Sequence, residues 1–452
     1  MPYSTHELDQ AVRSALRRIV PFTLLMFVLA FLDRVNVGFA KQGLQGAARL
    51  DDRAFALGLG LFFLGYAVCE TPSNIMMHRV GARRWMSRIM VTWGVISALT
   101  AFAHSPLSFH VLRLVLGVAE AGFFPGIILY YTWWFPERTR AGALGLFYLG
   151  PCLAFIFGGP LSGSLLDLNG LAGLAGWQWM FVIEGLLAVV VGLIARWYLC
   201  DSPSEAWWLT QEQSRALLRV LATENGHRLA VPARTAWSLL RDRRTLYCAA
   251  IFLLIQINVY GVTFYLPSQI AEMTGSTHGL LLGVASAFPW FCALVACISL
   301  GRWSDRTGER RYTAAAALAT GGAGTLLAAG VGGPIMAFAG LCLAAAGLTA
   351  VQPLYFAFPT AWLGGANAAK GLGIISSLAA LGAFLGPNLR VLLEQWSHSA
   401  RAGYYLMATT TFLASGLILG FPRMGLFAES VLFDEDHAAL SKVCEGTTRD
   451  TC

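Results

Sequence analysis

The feature that most restricts this chain is the recurrence of uninterrupted apolar runs, each about 20 residues long, along nearly all of its length. A helix of that length crosses the hydrocarbon core of a bilayer while satisfying its own backbone hydrogen bonds, which an isolated strand cannot do. Only 13% of residues are charged and 56% are hydrophobic, with a mean hydropathy of +0.59. Soluble domains carry about 25% charged residues, so much of a polar surface is missing. The short alternating segments of an outer-membrane barrel are not visible. The expected fold is an all-α polytopic membrane protein.

Twelve spans are predicted, with ends uncertain by a few residues. They lie at about 19–40, 54–77, 85–103, 108–134, 140–166 and 177–200, then at about 244–268, 277–300, 312–331, 334–362, 370–395 and 402–422. This divides the chain into a lead-in at 1–18, a six-helix half at 19–200, a polar segment at 201–243, a second six-helix half at 244–422 and a tail at 423–452. Loop charge sets the orientation. Arg79, Arg83, Arg84 and Arg88, then Arg138 and Arg140, the arginine-rich 201–243 segment, and Arg302, Arg306, Arg310 and Arg311 all fall on one side. The loops 104–107, 167–176 and 269–276 contain no Lys or Arg; the exception is 41–53, where Lys41, Arg49 and Arg53 are partly offset by Asp51 and Asp52. Both termini are expected to be cytoplasmic.

Formal charge of +7 would raise nucleic acid as a partner in a soluble protein. Here the arginines encode topology, and no basic patch interleaved with aromatics lies outside the spans. The nine cysteines form no CxxC pair or Cys/His cluster, so neither a metal site nor a disulfide framework is expected. No glycine-rich segment ends in Gly-Lys-Ser/Thr, which excludes a P-loop ATPase. The polar lead-in and the absence of a cleavage signature argue against a removed signal peptide.

The first span carries the chemistry. Asp33, Arg34 and Asn36 interrupt the apolar run that begins near Ile19. Each charge at bilayer depth costs about 2.5–3.5 kcal/mol, so such residues are expected to face a water-filled cavity or a partner. The alternative is that Asp33 and Arg34 mark a helix end near the surface. Adjacent helical positions are about 100° apart, so one side chain is expected to face the cavity and the other a neighbouring helix. Arg113 and Glu120, seven apart, share a face of the fourth span. Arg113 could also be an anchor at a span end.

A weak internal repeat ties the halves together. Gly301-Arg-Trp-Ser-Asp305-Arg306-Thr-Gly308-Glu-Arg310-Arg311 follows the eighth span, and Arg79-Val-Gly81-Ala-Arg83-Arg84 follows the second. The 301–311 segment resembles the glycine–aspartate–arginine–glycine loop of the major facilitator superfamily. That resemblance implies two pseudo-symmetric six-helix bundles, with the charges of Gly301, Asp305, Arg306, Gly308, Arg310 and Arg311 acting as a gating loop. A narrower resemblance, to the anion:cation symporter branch with its tartrate, sugar-acid and hydroxyphenylacetate permeases, rests on Leu32-Asp33-Arg34-Val35-Asn36, Glu70-Thr-Pro72-Ser73-Asn74, Gly81-Ala-Arg83-Arg84-Trp85 and the stretch Arg113 through Trp134. That stretch contains Glu120-Ala-Gly122-Phe123-Phe124-Pro125-Gly126 and runs into Trp134-Phe135-Pro136; Gly176-Trp177-Gln178-Trp179 and Glu184-Gly185 add to it. Phe31 stands where many of these permeases have tyrosine.

The resemblance implies that the first and fourth spans line one cavity, which would gather Arg34 and Arg113 with Asp33 and Glu120. A guanidinium suits a carboxylate cargo because its planar fork accepts it in a bidentate way. Arg34 is the first candidate for binding substrate and Arg113 the second. Asp33 and Glu120 match the acidic positions that take up protons in the sugar-acid members; the competing account makes them permanent partners of the arginines. Asn36, Tyr66, Gln256, Asn258, Tyr260 and Asn388 are polar candidates for the substrate, or bridges between helices. Glu70, one turn from Tyr66, either lines the same cavity or shapes the cytoplasmic end of its span, and Glu184 is read as a helix-packing or gating partner.

The expected activity is proton-coupled uptake of a small organic carboxylate across a bacterial inner membrane, by a monomer with no cofactor. Its partners are the anion, protons and lipid. An exporter or antiporter of organic compounds is the rival reading, disfavoured because an apolar cargo cannot offset desolvated arginines. An enzyme is not supported, since no nucleophile–base constellation is present.

Overall fold

The computed structural model describes residues 5–229, 235–275, 279–330, 332–363 and 365–421. The predicted tail at 423–452 lies outside them. Within them the chain forms only helices. In order these are α1 (Thr5–Phe39), α2 (Lys41–Ala48), α3 (Asp52–Val80), α4 (Ala82–Thr100), α5 (Pro106–Glu120), α6 (Phe123–Trp134), α7 (Glu137–Phe147), α8 (Gly150–Leu166) and α9 (Gly176–Tyr198). The polar segment holds α10 (Gln211–Leu229) and α11 (Ala236–Leu240). There follow α12 (Arg243–Thr263), α13 (Leu266–Thr274), α14 (Leu280–Thr307), α15 (Arg311–Ala328), α16 (Pro334–Trp362), α17 (Gly365–Ser397) and α18 (Arg401–Gly420).

Ten spans among the described residues are long and apolar enough to cross a membrane. Helices α4 and α15 complete the set of twelve. Their starts carry Arg83, Arg84 and Arg88, or Arg311, which dilutes their hydropathy, yet α4 packs along α9 with Trp93 wholly buried, and α15 packs along α16 and α18. The first half is held by α4 on α9, α3 on α5, and α1 on α8 and α9. The second is held by α15 on α16, α12 on α17, and α14 on α16. Between the halves α8 packs on α14, α3 on α17 and α1 on α13.

Three expected single spans are broken. The fourth divides into α5 and α6 at Ala121–Gly122, where Gly122 takes φ +84°. The fifth divides at Tyr148–Leu149, ahead of Pro151, and the seventh at Phe264–Tyr265, ahead of Pro267. Proline cannot donate to the helical ladder, so the chain turns just before it. The lead-in at 1–18 is not separate from the first span. Ala11, Ala15 and Ile19 bury one face at helical spacing while Arg13 and Arg17 stay exposed, and α1 runs unbroken for 35 residues.

Part of the charge in the 41–53 loop is paired locally. Lys41 pairs with Asp52 at 3.0 Å, and Asp51 caps α3 by accepting from the Ala54 amide at 2.7 Å. The polar linker lies against the first half. Arg18 sits over the Trp207 ring at 4.6 Å, Gln213 donates to Gln10 at 2.9 Å, and Arg140 pairs with Glu224 at 3.4 Å.

Candidate functional site

Break points in α5/α6 and α12/α13 place polar residues of three helices at one depth. Arg34 of α1 donates from Nε to Glu120 Oε1 of α5 at 2.9 Å, and its Nη2 forms an ion pair with the same oxygen. Its Nη1 donates to the hydroxyl of Tyr260, from α12 in the other half, at 3.4 Å. The guanidinium is walled by the rings of Phe31, Phe62 and Tyr66 at 4.9, 5.4 and 5.3 Å. Its side chain keeps 11% exposure while Glu120 has none. Through Tyr260 this pair meets the second half.

Asp33 faces the other way, into the first half. It accepts from Ser97 Oγ of α4 and from Asn36 Nδ2 at 3.3 Å, and its Oδ2 has no hydrogen-bond partner among the described residues. Arg113 is wholly buried, lies over the Phe62 ring at 4.9 Å, and has no hydrogen-bond partner for any guanidinium nitrogen among the described residues. Asp33 and Glu120 are the anions whose fields reach it. Phe62 therefore separates two arginines, one paired with a carboxylate and one held by the ring and by the fields of the two acids. The four charges expected around one volume are brought together, but as a buried cluster rather than as the lining of open space.

The open space lies next to it. A cavity of about 560 Å³ is bounded by Phe31 of α1, by α7 and α8, and by α12, α14 and α16. Gln256 and Tyr260 line it, so Tyr260 is the link between cavity and cluster. Its mouth reaches the exposed residues Asp305 and Arg310, with Gly301 on the wall, so it opens at the arginine-rich end. Arg306 is exposed beside that mouth; Gly308, at φ +68°, ends α14, and Arg311 begins α15 with its Nη2 donating to Tyr312.

The remaining sequence candidates lie elsewhere. Asn36 is fully buried against Asp33. Asn258 donates to Thr325 at 3.1 Å and Thr411 at 2.6 Å inside the second half. Asn388 donates to its own helix at Phe384, 2.7 Å away, and packs against Gly60. Glu70 accepts from Ser377 Oγ of α17 at 3.2 Å, a hydrogen bond between the halves, and Glu184 accepts from Ser162 at 2.8 Å. A third buried arginine was missed. Arg390 of α17 pairs with Glu394 at 2.9 Å, donates to the Gly261 carbonyl at 3.0 Å, and is stacked between Tyr265 and Tyr404. The rule that singled out Arg34, charge within an apolar run, applies to it equally.

At the opposite end the halves are in close contact. Phe63 meets Tyr260 and Phe264, and Arg53 donates to Gln395. Two six-helix halves closed at one face, with a cavity open at the other and charges at membrane depth, define a membrane transporter. Residues 23–387 match the Major Facilitator Superfamily, and the chain belongs to that superfamily. It is similar to the inner membrane transport protein RhmT of Escherichia coli (strain K12), 42% identical over 415 residues that span 92% of this chain and 96% of that protein. It is also similar to a putative tartrate transporter of Agrobacterium vitis, 38% identical over 420 residues and 93% of each chain. Among solved structures it resembles the xylose transporter XylE from E. coli in a partially occluded inward open conformation. The TM-score is 0.69, over 90% of this chain and 98% of that one, at 14% identity, a likeness of fold.

Proposed function

We propose that this protein is a proton-coupled symporter that takes up a small organic carboxylate across a bacterial inner membrane by alternating access. The observation that carries the reading is the Arg34–Glu120 pair, buried beside the cavity and linked to it through Tyr260, a lining residue from the other half. A guanidinium already holding one carboxylate is matched in shape and charge to a second. In this scheme the cargo carboxylate takes the place of Glu120 on Arg34. Glu120, left without its partner in a dry site, takes a proton, so the loaded carrier turns without bare charge at the midplane. Arg113 holds the balance between Asp33 and Glu120, and Asp33 is the second proton carrier. Tyr66, Gln256 and Tyr260 face the cargo from three sides. Asn36, Asn258 and Asn388 hold helices in place.

The residues 19–200 and 244–422 act as the two rocking halves, with 201–243 as their cytoplasmic tether and the arginine-rich end inside. The Gly301–Arg311 loop gates the cavity mouth. The printed names of the relatives, an inner membrane transport protein and a putative tartrate transporter, support both the compartment and an anionic cargo. The protein works as a monomer, with no cofactor.

The test is uptake of labelled organic acids into proteoliposomes, with and without an inward proton gradient. Gradient-stimulated accumulation of one acid is expected. Accumulation indifferent to the gradient would remove the proton role from Asp33 and Glu120 and leave the anion site standing. No accumulation of any acid would overturn the uptake reading.

A further inference from the structure

Helices α8 and α14, one from each half, touch along a ladder that begins at the closed end. A Cβ on Gly163 would stand 2.6 Å from the Gly279 carbonyl, and one on Gly159 would stand 2.5 Å from that of Gly283. One step further in, Phe155 stacks on Trp290 with ring centroids 3.7 Å apart. The next rung in the same register is a pair of neighbouring thiols, Cys152 of α8 and Cys297 of α14. Both are free cysteines. Beyond them the helices part, and the cavity opens between Leu144, Gly145 and Tyr148 on one side and Ile298, Gly301 and Asp305 on the other. Cys297 itself lines that cavity, so a small reagent entering the mouth reaches the pair although Cys152 is only 1% exposed.

We propose that Cys152 and Cys297 form an oxidisable dithiol whose disulfide clamps the two halves in the conformation described here and arrests the transport cycle. The chemistry is a two-electron oxidation. Two S–H bonds break and one S–S bond forms, and two protons and two electrons pass to an acceptor of the azodicarboxamide class, diamide, which becomes the corresponding hydrazine. A disulfide holds its Cα atoms about 4.4–6.8 Å apart. That bond would pin α8 to α14 at the point where they diverge. Rocking requires those helices to change their mutual angle, so a covalent rung there opposes it. In the reducing cytoplasm the thiols stay free, and the clamp forms only under oxidative load.

The molecule carries its own control. Cys292 of α14 and Cys342 of α16 make a second thiol contact, but both belong to the second half. A bond there joins nothing that moves apart.

The test uses the full chain in proteoliposomes, treated with diamide and then cut by trypsin at the exposed arginines of the linker, Arg215 and Arg219. On a non-reducing gel the halves of the wild type are expected to stay joined and to separate on adding dithiothreitol. Cys152→Ser and Cys297→Ser proteins are expected to separate at once, and Cys292→Ser to behave as wild type. Arrest is read without any cargo, by deuterium exchange at 264–274, the closed-end contact. Oxidation is expected to slow exchange there several-fold in the wild type and in Cys292→Ser, and to leave Cys152→Ser unchanged. Halves that never join would overturn the dithiol. Halves that join with unaltered exchange would overturn the clamp and place the pair on the hinge.

Discussion

At residue scale the chemistry turns on which neighbours each intramembrane charge can reach. Arg34 presents a fork that Glu120 occupies through a single oxygen, leaving Nη1 for Tyr260. Lysine would keep the charge and lose the fork, so Arg34→Lys is expected to weaken acid binding at least tenfold, measured by equilibrium binding to the purified protein, with little change in its melting temperature. Asp33 does not touch that fork. Asp33→Asn keeps the Ser97 and Asn36 contacts and, on the proposed reading, removes the second proton carrier, so gradient-driven accumulation is expected to vanish while exchange of internal for external acid persists. Loss of both would make Asp33 part of the binding site. The opposed directions of Asp33 and Arg34 were legible in the sequence from the 100° rotation between neighbours. Arg390 lies within an apolar run in the same way, inside the expected span 370–395, and was legible as an intramembrane charge but missed. Only the packing of Tyr265, Tyr404 and the Gly261 carbonyl around it makes it a buried one.

At the scale of elements, the site depends on where helices stop being continuous. Glu120 is the last residue of α5, and its side chain is aimed at Arg34 because the chain turns immediately afterwards. Gly122 makes that turn possible. Its φ of +84° disfavours any side chain, and a Cβ there would stand 2.4 Å from Ser73 Oγ. Gly122→Ala is therefore expected to cost about 1–3 kcal/mol, seen as a lowered melting temperature in detergent. Gly142→Ala, within α7 and with nothing within 4 Å of the added methyl, is expected to leave it unchanged. Hydropathy gave the spans and missed these breaks, since a run of apolar residues looks the same whether or not one glycine in it adopts a left-handed turn. Helices α4 and α15 were expected from their apolar runs, at 85–103 and 312–331, and the arginines at their starts lower the hydropathy of the whole helix without hiding the run that follows.

At the scale of the whole molecule, the two halves and the positive loops were readable, and the state of closure was not, because one sequence serves both faces of the cycle. Closure shows only in contacts between the halves. Gly38 of α1 illustrates it: a Cβ there would stand 2.6 Å from the backbone oxygen of Phe264. Gly38→Val is expected to prise that contact apart, speeding deuterium exchange at 264–274 and shifting the population towards the oppositely open state. The continuity of α1 has a mechanical consequence. At 1.5 Å per residue it is a strut of about 52 Å, longer than the roughly 30 Å of bilayer it crosses. One end is gripped by the linker through Gln10 and Arg18, and Arg34 sits roughly 24 Å further along. The strut has one soft joint between grip and ion pair, at Pro21. A load on α10 is thus delivered to the Arg34–Glu120 pair by leverage, and, on the proposed reading, a binder gripping 211–229 would tune affinity from outside the membrane without entering the cavity.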